Sequence, residues 1–201
     1  MSAVIYLLRH GETRLNNAFA LQGRSDEALN ETGRAQARAV GELFRQQGVR
    51  FDRVYSSPLI RAVETARLAA GEAAEITVDE RLIEMDYGPY EGTSLKSLPP
   101  EILTFFGDFN NNPAPAGMEQ LSAVVGRLGA FLEDLRPLTG EEENILVSTH
   151  AIALKGALEY LTPEAHGSYW SRHIGNCAVF RTHLQDGVYS VPIEYGHADQ
   201  H

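Results

Sequence analysis

The chain has 201 residues, of which 43% are hydrophobic and 22% are charged, as is usual for a globular protein with one sizeable core. Its net charge of −10 argues against nucleic acid or an anionic membrane surface as a general partner, because both bind basic faces. The single cysteine, Cys177, excludes an internal disulfide and suits a cytoplasmic protein, and no apolar run reaches the roughly 18 residues of a membrane span. An anionic ligand would have to be held by local positive charge.

The first predicted element is a buried parallel strand, Ala3-Val4-Ile5-Tyr6-Leu7-Leu8, because six apolar residues follow one another without alternation. Arg9-His10-Gly11 follows this strand directly. In α/β sheets, ligands bind at the carboxyl ends of the strands. We therefore expect a guanidinium and an imidazole at such an edge, with Gly11 allowing a sharp turn close to a ligand.

The next part of the chain alternates helices and strands. After a polar loop over residues 12–29, Asn30 is a candidate N-cap for a helix that runs to about Gln47. A strand follows over residues 51–56. Ser57 and Pro58 then suit the N-cap and first position of a helix through residue 70, which would place Arg61 in its first turn. Residues 76–78 form a short third strand.

Residues 81–117 are rich in proline and read as an irregular insertion with a short helix near 101–106. Such a segment either covers a site or is a surface excursion. A long helix over about 120–135 precedes a clear strand at 144–149, and His150 comes directly after that strand. A helix then runs to about residue 161. The chain closes with a predicted hairpin, in which strands 177–184 and 188–195 are joined by Asp186-Gly187.

This alternation predicts an α/β fold, a three-layer sandwich with a mostly parallel central sheet, helices on both faces and a C-terminal hairpin. We expect one domain over residues 1–201, with a lid-like insertion at about 81–117. Two strands are then followed directly by a histidine at the same edge of the sheet, His10 after the first strand and His150 after the strand at 144–149. That coincidence is difficult to assign to packing alone.

Phosphoryl transfer to a protein nitrogen needs a neutral nucleophile, cations on the phosphate oxygens and a proton for the leaving group. His10 is the candidate nucleophile, Arg9 and Arg61 are the clamps, His150 is a further donor, and Glu84 is the general acid. Taken singly, these residues could be a surface arginine, a solvated carboxylate and ordinary histidines at strand ends. Their joint arrangement favours the chemistry.

The motifs around these residues resemble those of the histidine phosphatase superfamily, in its phosphoglycerate-mutase-like branch. The matching segments, in chain order over nearly the whole chain, are Leu8-Arg9-His10-Gly11-Glu12-Thr13 with Asn16, Gln22-Gly23 with Asp26, Thr32-Gly33-Arg34-Ala35-Gln36-Ala37, Ser56-Ser57-Pro58-Leu59-Ile60-Arg61-Ala62 with Glu64-Thr65-Ala66, Leu82-Ile83-Glu84-Met85-Asp86-Tyr87-Gly88 with Tyr90-Glu91-Gly92, Val147-Ser148-Thr149-His150, and Asn176-Cys177-Ala178-Val179.

The resemblance implies that His10 becomes phosphorylated and that Glu84 donates a proton and later activates water. It further implies a phosphate pocket of Arg9, Arg61, His150 and Asn16, with Gln22, Gly23 and Tyr87 on the substrate side. No metal or other cofactor is implied. Two positions depart from the family pattern. Ala151 stands where a glycine commonly follows the second histidine, and Ala20 stands where many relatives have an arginine that Arg24 could replace.

We expect a phosphoric monoester hydrolase of the histidine acid type, acting on a small phosphorylated metabolite. The alternative is a cofactor-dependent mutase of the phosphoglycerate mutase type, which must hold a second acidic group of its substrate. Between Thr93 and Gln120 the only basic residue is Lys96, which disfavours that alternative. The apolar residues there (Leu98, Ile102, Leu103, Phe105, Phe106) could contact an apolar leaving group or pack on the domain.

A catalytically dead phosphate-binding or protein-binding member is disfavoured because His10 and Glu84 are both present. The sequence does not predict the oligomeric state.

Overall fold

The computed structural model describes residues 2–138 and 140–196. Its strands are β1 (Ser2–Arg9), β2 (Arg53–Ser56), β3 (Ile76–Val78), β4 (Glu141–Thr149), β5 (Val179–Gln185), β6 (Val188–Tyr189) and β7 (Ile193–Tyr195). They form one sheet in the order β3-β2-β4-β1-β5-β6, with β7 also paired to β5. The first four strands in this order are parallel, and β5 to β7 add antiparallel pairs. The predicted mostly parallel α/β sheet is therefore confirmed.

The helices are α1 (Arg14–Asn17), α2 (Glu31–Gln46), α3 (Ile60–Ala70), α4 (Pro100–Gly107), α5 (Leu121–Leu135) and α6 (Ala151–Leu161). Side chains of β1 point alternately to the two faces of the sheet, as the pleat requires. Ile5 and Leu7 belong to a core that includes residues of α5 and α6, whereas Tyr6 and Leu8 pack with residues of α2 and α3. Helices thus cover both faces, and the sheet is the middle of three layers.

The register of β1 against β4 determines where the site forms. Arg9 pairs with Thr149, the last residue of β4, and the His10 backbone N–H donates to the Thr149 carbonyl at 2.9 Å. The two strands are parallel neighbours, so they end side by side. His10 and His150 consequently leave the sheet at the same edge, with ring centroids 5.1 Å apart.

Several predicted boundaries need correction. Asn30 does cap α2, since its side chain accepts the Gly33 N–H. By contrast, α3 has Leu59 as its N-cap and begins at Ile60, so the prediction of Ser57 as the N-cap and Pro58 as the first residue was wrong. The strand predicted from residue 51 begins at Arg53. The polar loop after β1 contains the short helix α1.

The predicted C-terminal hairpin is present with shorter strands. Asp186 and Gly187 both have positive φ, 51° and 78°, which is typical of a tight two-residue hairpin turn. Cys177 is buried, but it lies in a turn with φ 57° before β5 and does not belong to the strand that was predicted to start there. The second arm of the hairpin is divided between β6 and β7.

Gly11 has a different role from the predicted turn near a ligand. Its φ does not lie in the left-handed region. A Cβ at Gly11 would instead lie 2.4 Å from the Gly33 carbonyl oxygen, and a Cβ at Gly33 would lie 2.1 Å from that of Glu12. The two glycines therefore let the loop after β1 pack directly on the first turn of α2.

The insertion at residues 81–117 packs closely on the α5 and α6 side of the sheet. Ile102 and Phe105 of α4 are buried in that core, whereas Leu103 is exposed. Leu98 and Phe106 are partly buried against the same core. The apolar residues that could have faced a leaving group are thus mainly used for packing. None of the helices within residues 2–138 and 140–196 combines the length and apolarity that a membrane crossing requires.

Candidate active site

His10 sits at the carboxyl end of β1 with its ring buried. Its Nδ1 lies 2.7 Å from the Gly11 carbonyl oxygen, which can only accept, so Nδ1 carries the proton. Burial lowers the pKa of His10 well below its ordinary value, and the charges of Arg61 and Arg9 add to this effect. The ring is neutral, and its unprotonated Nε2 is the atom that can attack phosphorus once it gives up the hydrogen bond from Arg61.

Arg61 is fully buried beside His10 Nε2. Its Nε donates to His10 Nε2 at 3.3 Å, while Nη1 and Nη2 donate to the carbonyls of Ser25 and Gly23 at 2.7 and 2.6 Å. Burial lowers the pKa of Arg61 to about 10, opposed mainly by the charge of Glu84, so the guanidinium stays positive at neutral pH. Arg61 belongs to the first turn of α3, as predicted.

Glu91 holds the loop that receives Arg61. Its Oε1 accepts the backbone N–H groups of Gly23 and Ser25 at 2.8 and 3.1 Å, and the Ser25 hydroxyl at 2.6 Å. Gly23 leaves room for this arrangement, since a Cβ there would approach Glu91 and Tyr87 to 2.8 Å. The predicted residue Gly23 is thus part of the support of Arg61.

Arg9 is anchored by the segment that precedes β5. Its Nη1 donates to the Ile174 carbonyl at 2.5 Å. In the same segment, Asn176 Nδ2 donates to the His10 carbonyl at 3.1 Å and to Asn16 Oδ1 at 3.2 Å. The loop after β1 and the entry to β5 therefore hold each other in place around His10.

A polar network connects α1 to the same site. Thr13 and Asn16 form a reciprocal capping box at the start of α1. The Thr13 hydroxyl donates to Gln22 Oε1 at 2.7 Å, and Asn16 Nδ2 donates to the same oxygen at 3.3 Å. With its oxygen held by two donors, the Gln22 amide has a fixed orientation.

His150 directly follows Thr149, the last residue of β4, and is fully buried. Its Nε2 lies 2.7 Å from the hydroxyl of Ser57, which is also fully buried. Burial lowers the pKa of His150 well below its ordinary value, and the charge of Arg61 lowers it further. Two neutral histidines therefore face each other at the edge of the sheet.

Glu84 lies at the N-terminus of α6, the helix that follows His150. Its Oε1 accepts the backbone N–H groups of Met85 and Ala153 at 2.8 and 2.9 Å, and its Oε2 accepts that of Ile152 at 3.1 Å. The side chain is 3% exposed. The structure thus brings this carboxyl group of the insertion to the helix that starts beside the second histidine.

Arg127 of α5 fixes the segment that carries Glu84. Its Nη1 donates to the carbonyls of Arg81 and Ile83 at 2.8 and 2.5 Å. Thr149 contributes from the sheet, because its hydroxyl donates to the Leu82 carbonyl at 2.7 Å. This part of the insertion is therefore tied to both α5 and β4.

Three nitrogen atoms of the site are buried and have no hydrogen-bond partner within the described residues. They are Arg9 Nε, Gln22 Nε2 and His150 Nδ1. A buried donor without a partner is costly, so native proteins usually satisfy such groups. Arg9 Nε and Gln22 Nε2 are donors, and together with the charge of Arg61 they suit an anion with several oxygen atoms.

Tyr87 and the insertion supply an aromatic side of the site. Tyr87 is buried and contacts Phe106 edge-on, with ring centroids 6.3 Å apart. Burial raises the pKa of Tyr87 well above its ordinary value, and Glu84 and Glu91 raise it further, so its hydroxyl stays neutral. Phe106 contacts Phe109 in turn.

Two cations from outside the insertion, Arg24 and Lys155, interact with acids of the insertion. Arg24 lies 3.3 Å from Asp86 and 3.5 Å from Glu119, so its charge is already balanced by acids. Lys155 of α6 donates to the Trp170 carbonyl at 2.7 Å and lies over the Phe109 ring. Burial lowers the pKa of Lys155 to about 8, although the charge of Glu84 opposes this effect.

The sequence reasoning did not give functional roles to Ser57, Asn176 or Glu91, although each contacts the site or its supports, nor to Lys155, whose charge interacts with that of Glu84. Ser57, Glu91 and Asn176 stood in the matching motifs, which was the available signal. The two departures from the family pattern lie in different places. Ala151 is the first residue of α6, and Ala20 forms an isolated antiparallel bridge with Ser94.

Among the side chains of the described ranges, no group of three His, Cys, Asp or Glu residues could hold a metal ion.

Comparisons with known proteins show the family of the chain. The family model of the histidine phosphatase superfamily (branch 1) matches residues 5–192. "Putative phosphoserine phosphatase 2" of Hydrogenobacter thermophilus is 30% identical over 90% of this chain and 89% of its own length. "Probable phosphoglycerate mutase GpmB" of Yersinia pestis is 34% identical over 90% of this chain and 85% of its own length.

A solved structure shares the fold over almost the whole chain. It is a mutant phosphoserine phosphatase from Entamoeba histolytica in complex with phosphoserine, with a TM-score of 0.81 and 24% identity, covering 96% of this chain and 95% of that one. This structural similarity supports the fold. The family model and the two relatives show the relationship at the level of sequence. The chain belongs to the histidine phosphatase superfamily, branch 1.

Proposed function

We propose that the protein is a phosphatase that hydrolyses small phosphate monoesters through a phosphohistidine at Nε2 of His10. The observation that carries this proposal is a neutral His10 whose Nε2 lone pair lies beside the Arg61 guanidinium, in a site with three unpartnered buried nitrogen atoms. The name of the Hydrogenobacter relative is that of a phosphatase.

In the first step, His10 Nε2 attacks phosphorus and the bond between phosphorus and the ester oxygen breaks. Glu84, in its acid form, gives its proton to the departing oxygen, which leaves as an alcohol. Because both Glu84 oxygens accept backbone N–H groups, one of them has to turn from the amides toward the leaving group. The positive charge that develops on the imidazole is stabilised by the Nδ1–H bond to the Gly11 carbonyl.

In the second step, the Glu84 carboxylate takes a proton from water, and the water oxygen attacks phosphorus. The bond between phosphorus and Nε2 then breaks, which returns neutral His10 and releases inorganic phosphate. Arg9, Arg61, His150, Gln22 and Asn16 hold the phosphoryl oxygens or the groups that do so. No step requires a metal ion or another cofactor.

We assign the leaving-group side of the site to Tyr87 and the insertion. Tyr87 and the partly buried Phe106 give this side an apolar character, which favours a leaving group with little charge. The insertion then acts as a fixed cover, since Arg127 and Thr149 tie its first segment to the domain.

A mutase is the second candidate, and two observations favour it. The Yersinia relative carries the name of a phosphoglycerate mutase. In addition, Lys155 places a cation near Glu84 that does not come from the insertion, and a substrate carboxylate could pair with it. Against it, Arg24 is already paired with Asp86 and Glu119.

One assay separates the two candidates. Phosphate release is measured over a panel that contains an aryl phosphate, phosphoserine and 3-phosphoglycerate, with the His10→Ala variant as the control. A phosphatase releases phosphate from at least one compound, and this activity disappears in His10→Ala. A mutase instead converts 3-phosphoglycerate to its 2-isomer when a bisphosphate primer is present. Phosphate release that survives in His10→Ala would contradict the proposed nucleophile.

A further inference from the structure

The hydrogen bond between Ser57 and His150 bears on which ring nitrogen of His150 carries the proton. The Ser57 hydroxyl oxygen lies 2.7 Å from His150 Nε2, and both side chains are fully buried. Ser57 also accepts the Leu59 N–H at 3.3 Å, and its own N–H donates to the Ser148 carbonyl at 3.0 Å. The hydroxyl is thus bonded to the start of α3, while the Ser57 backbone is bonded to β4.

A hydroxyl has one proton to donate. Ser57 Oγ already accepts the Leu59 N–H. If the hydroxyl also donates to His150 Nε2, both its acceptor and its donor capacity are satisfied. In the opposite arrangement, His150 Nε2–H would donate to Ser57 and the serine proton would need another acceptor. No such acceptor for Ser57 is found in the described part of the chain.

The other ring nitrogen of His150 gives an independent reason for the same choice. Nδ1 is buried and without a partner among the described residues, like Arg9 Nε and Gln22 Nε2. A lone pair on Nδ1 would repel an anion bound between these groups, whereas an Nδ1–H would donate to it. Because the ring is neutral, only one of the two nitrogens can carry a proton.

We propose that Ser57 is a positioning residue that holds His150 in the Nδ1–H tautomer, so that His150 donates a hydrogen bond to the phosphoryl group. This inference rests on the proposed function for its catalytic meaning. The tautomer itself is a property of the resting protein and is measured without turnover. Ser57 acts only through His150.

The chain offers matched variants for the test. Ser57→Ala removes the donor, and Ser57→Thr keeps a hydroxyl at the same position. Ser56→Ala is the control, because Ser56 is an equally buried neighbour whose hydroxyl donates to the Ser57 carbonyl and does not contact His150. Unfolding curves establish which variants fold.

The measurement is the side-chain ¹⁵N NMR spectrum of the histidines, in which protonated and unprotonated ring nitrogens are distinct, with the His150 signals assigned by their loss in His150→Gln. In the wild type and Ser57→Thr, we expect a protonated Nδ1 and an unprotonated Nε2. In Ser57→Ala, we expect a mixture of tautomers. A protonated Nε2 in the wild type would overturn the proposal even if no variant folds.

Binding of inorganic phosphate and turnover provide the second readout. For Ser57→Ala we expect weaker phosphate binding and a kcat reduced by about 10- to 100-fold, with recovery in Ser57→Thr and little change in Ser56→Ala. If Ser57→Ala keeps the wild-type tautomer and the wild-type kcat, Ser57 does not position His150. If the tautomer is as proposed but no phosphomonoester is hydrolysed, the proposed function fails while the assignment of the tautomer stands.

Discussion

Glu91 and Arg61 hold the same two residues from opposite sides. Glu91 accepts the backbone N–H groups of Gly23 and Ser25, while Arg61 donates to their carbonyl oxygens. The peptide segment between the two side chains is thereby fixed. The position of the Arg61 guanidinium, and of its bond to His10, therefore depends on the Glu91 carboxylate.

The first prediction concerns this support. Glu91→Ala leaves the donors of Gly23 and Ser25 without their acceptor, so we expect the free energy of unfolding to fall by about 2 kcal/mol. Displacement of Arg61 should also lower kcat/KM for an aryl phosphate by about 10- to 100-fold. Urea unfolding and steady-state kinetics measure both effects. Glu101→Ala is the control, since Glu101 is an exposed acid of the insertion whose side-chain partner among the described residues is the Tyr90 hydroxyl. Equal losses in the two variants would contradict the role of Glu91.

The second prediction tests the acid. Glu84→Gln removes the proton donor, and an alkyl leaving group needs that proton far more than an aryl one. We expect kcat/KM for an alkyl phosphate to fall by about 10²- to 10⁴-fold and for an aryl phosphate much less. The ratio of the two rates is its own control, because a change of folding or of phosphate binding affects both substrates alike. Equal losses would exclude Glu84 as the general acid.

The third prediction is a pH dependence of stability. Burial lowers the pKa of both His10 and His150 in the folded state. As the pH falls through about 6.5, these histidines therefore take up protons in the unfolded chain but not in the folded one. Stability should therefore decrease on going from pH 7 to pH 5, by up to about 2 kcal/mol for each histidine. Urea unfolding of the wild type and of His10→Gln measures the difference. The variant should lose less stability over this range, and an identical decrease would show that His10 is not held neutral.

The fourth prediction concerns the single cysteine. Cys177 is 9% exposed, and burial raises the pKa of its thiol to about 12, so at pH 8 it carries its proton. We expect its reaction with an aromatic disulfide reagent to be at least about 100-fold slower in the folded protein than in urea. Cys177→Ser should give no signal. Rapid reaction of the folded protein would mean that the entry to β5 opens beside His10, whose carbonyl accepts the Cys177 N–H.

The sequence predicted those parts of the fold that depend on local pattern. The apolar runs predicted β1 and β4, and Asn30 predicted the start of α2, because strand burial and helix capping are properties of neighbouring residues. The meeting of His10 and His150 followed from the parallel arrangement of strands. The residue types and the family resemblance both predicted Glu84 as the acid, but nothing local places an insertion residue at the start of α6.

Other features required contacts between distant residues. Ser57 has the sequence pattern of an N-cap, but its hydroxyl contacts His150 and α3 begins three residues later, at Ile60. Gly11 suggested a turn, whereas its real constraint is the backbone of Gly33. The roles of Glu91 and Arg127 are visible only when the carbonyl and amide groups that they bind are in place.

The central claim is that His10 is transiently phosphorylated at Nε2. A substrate with a radioactive phosphoryl group is mixed with the enzyme and quenched in alkali within milliseconds, because phosphohistidine survives base. The label should appear on the peptide that contains His10, form at a rate no slower than turnover, accumulate in Glu84→Gln and be absent from His10→Gln. Turnover without any labelled peptide, or a label on a peptide that lacks His10, would contradict the account.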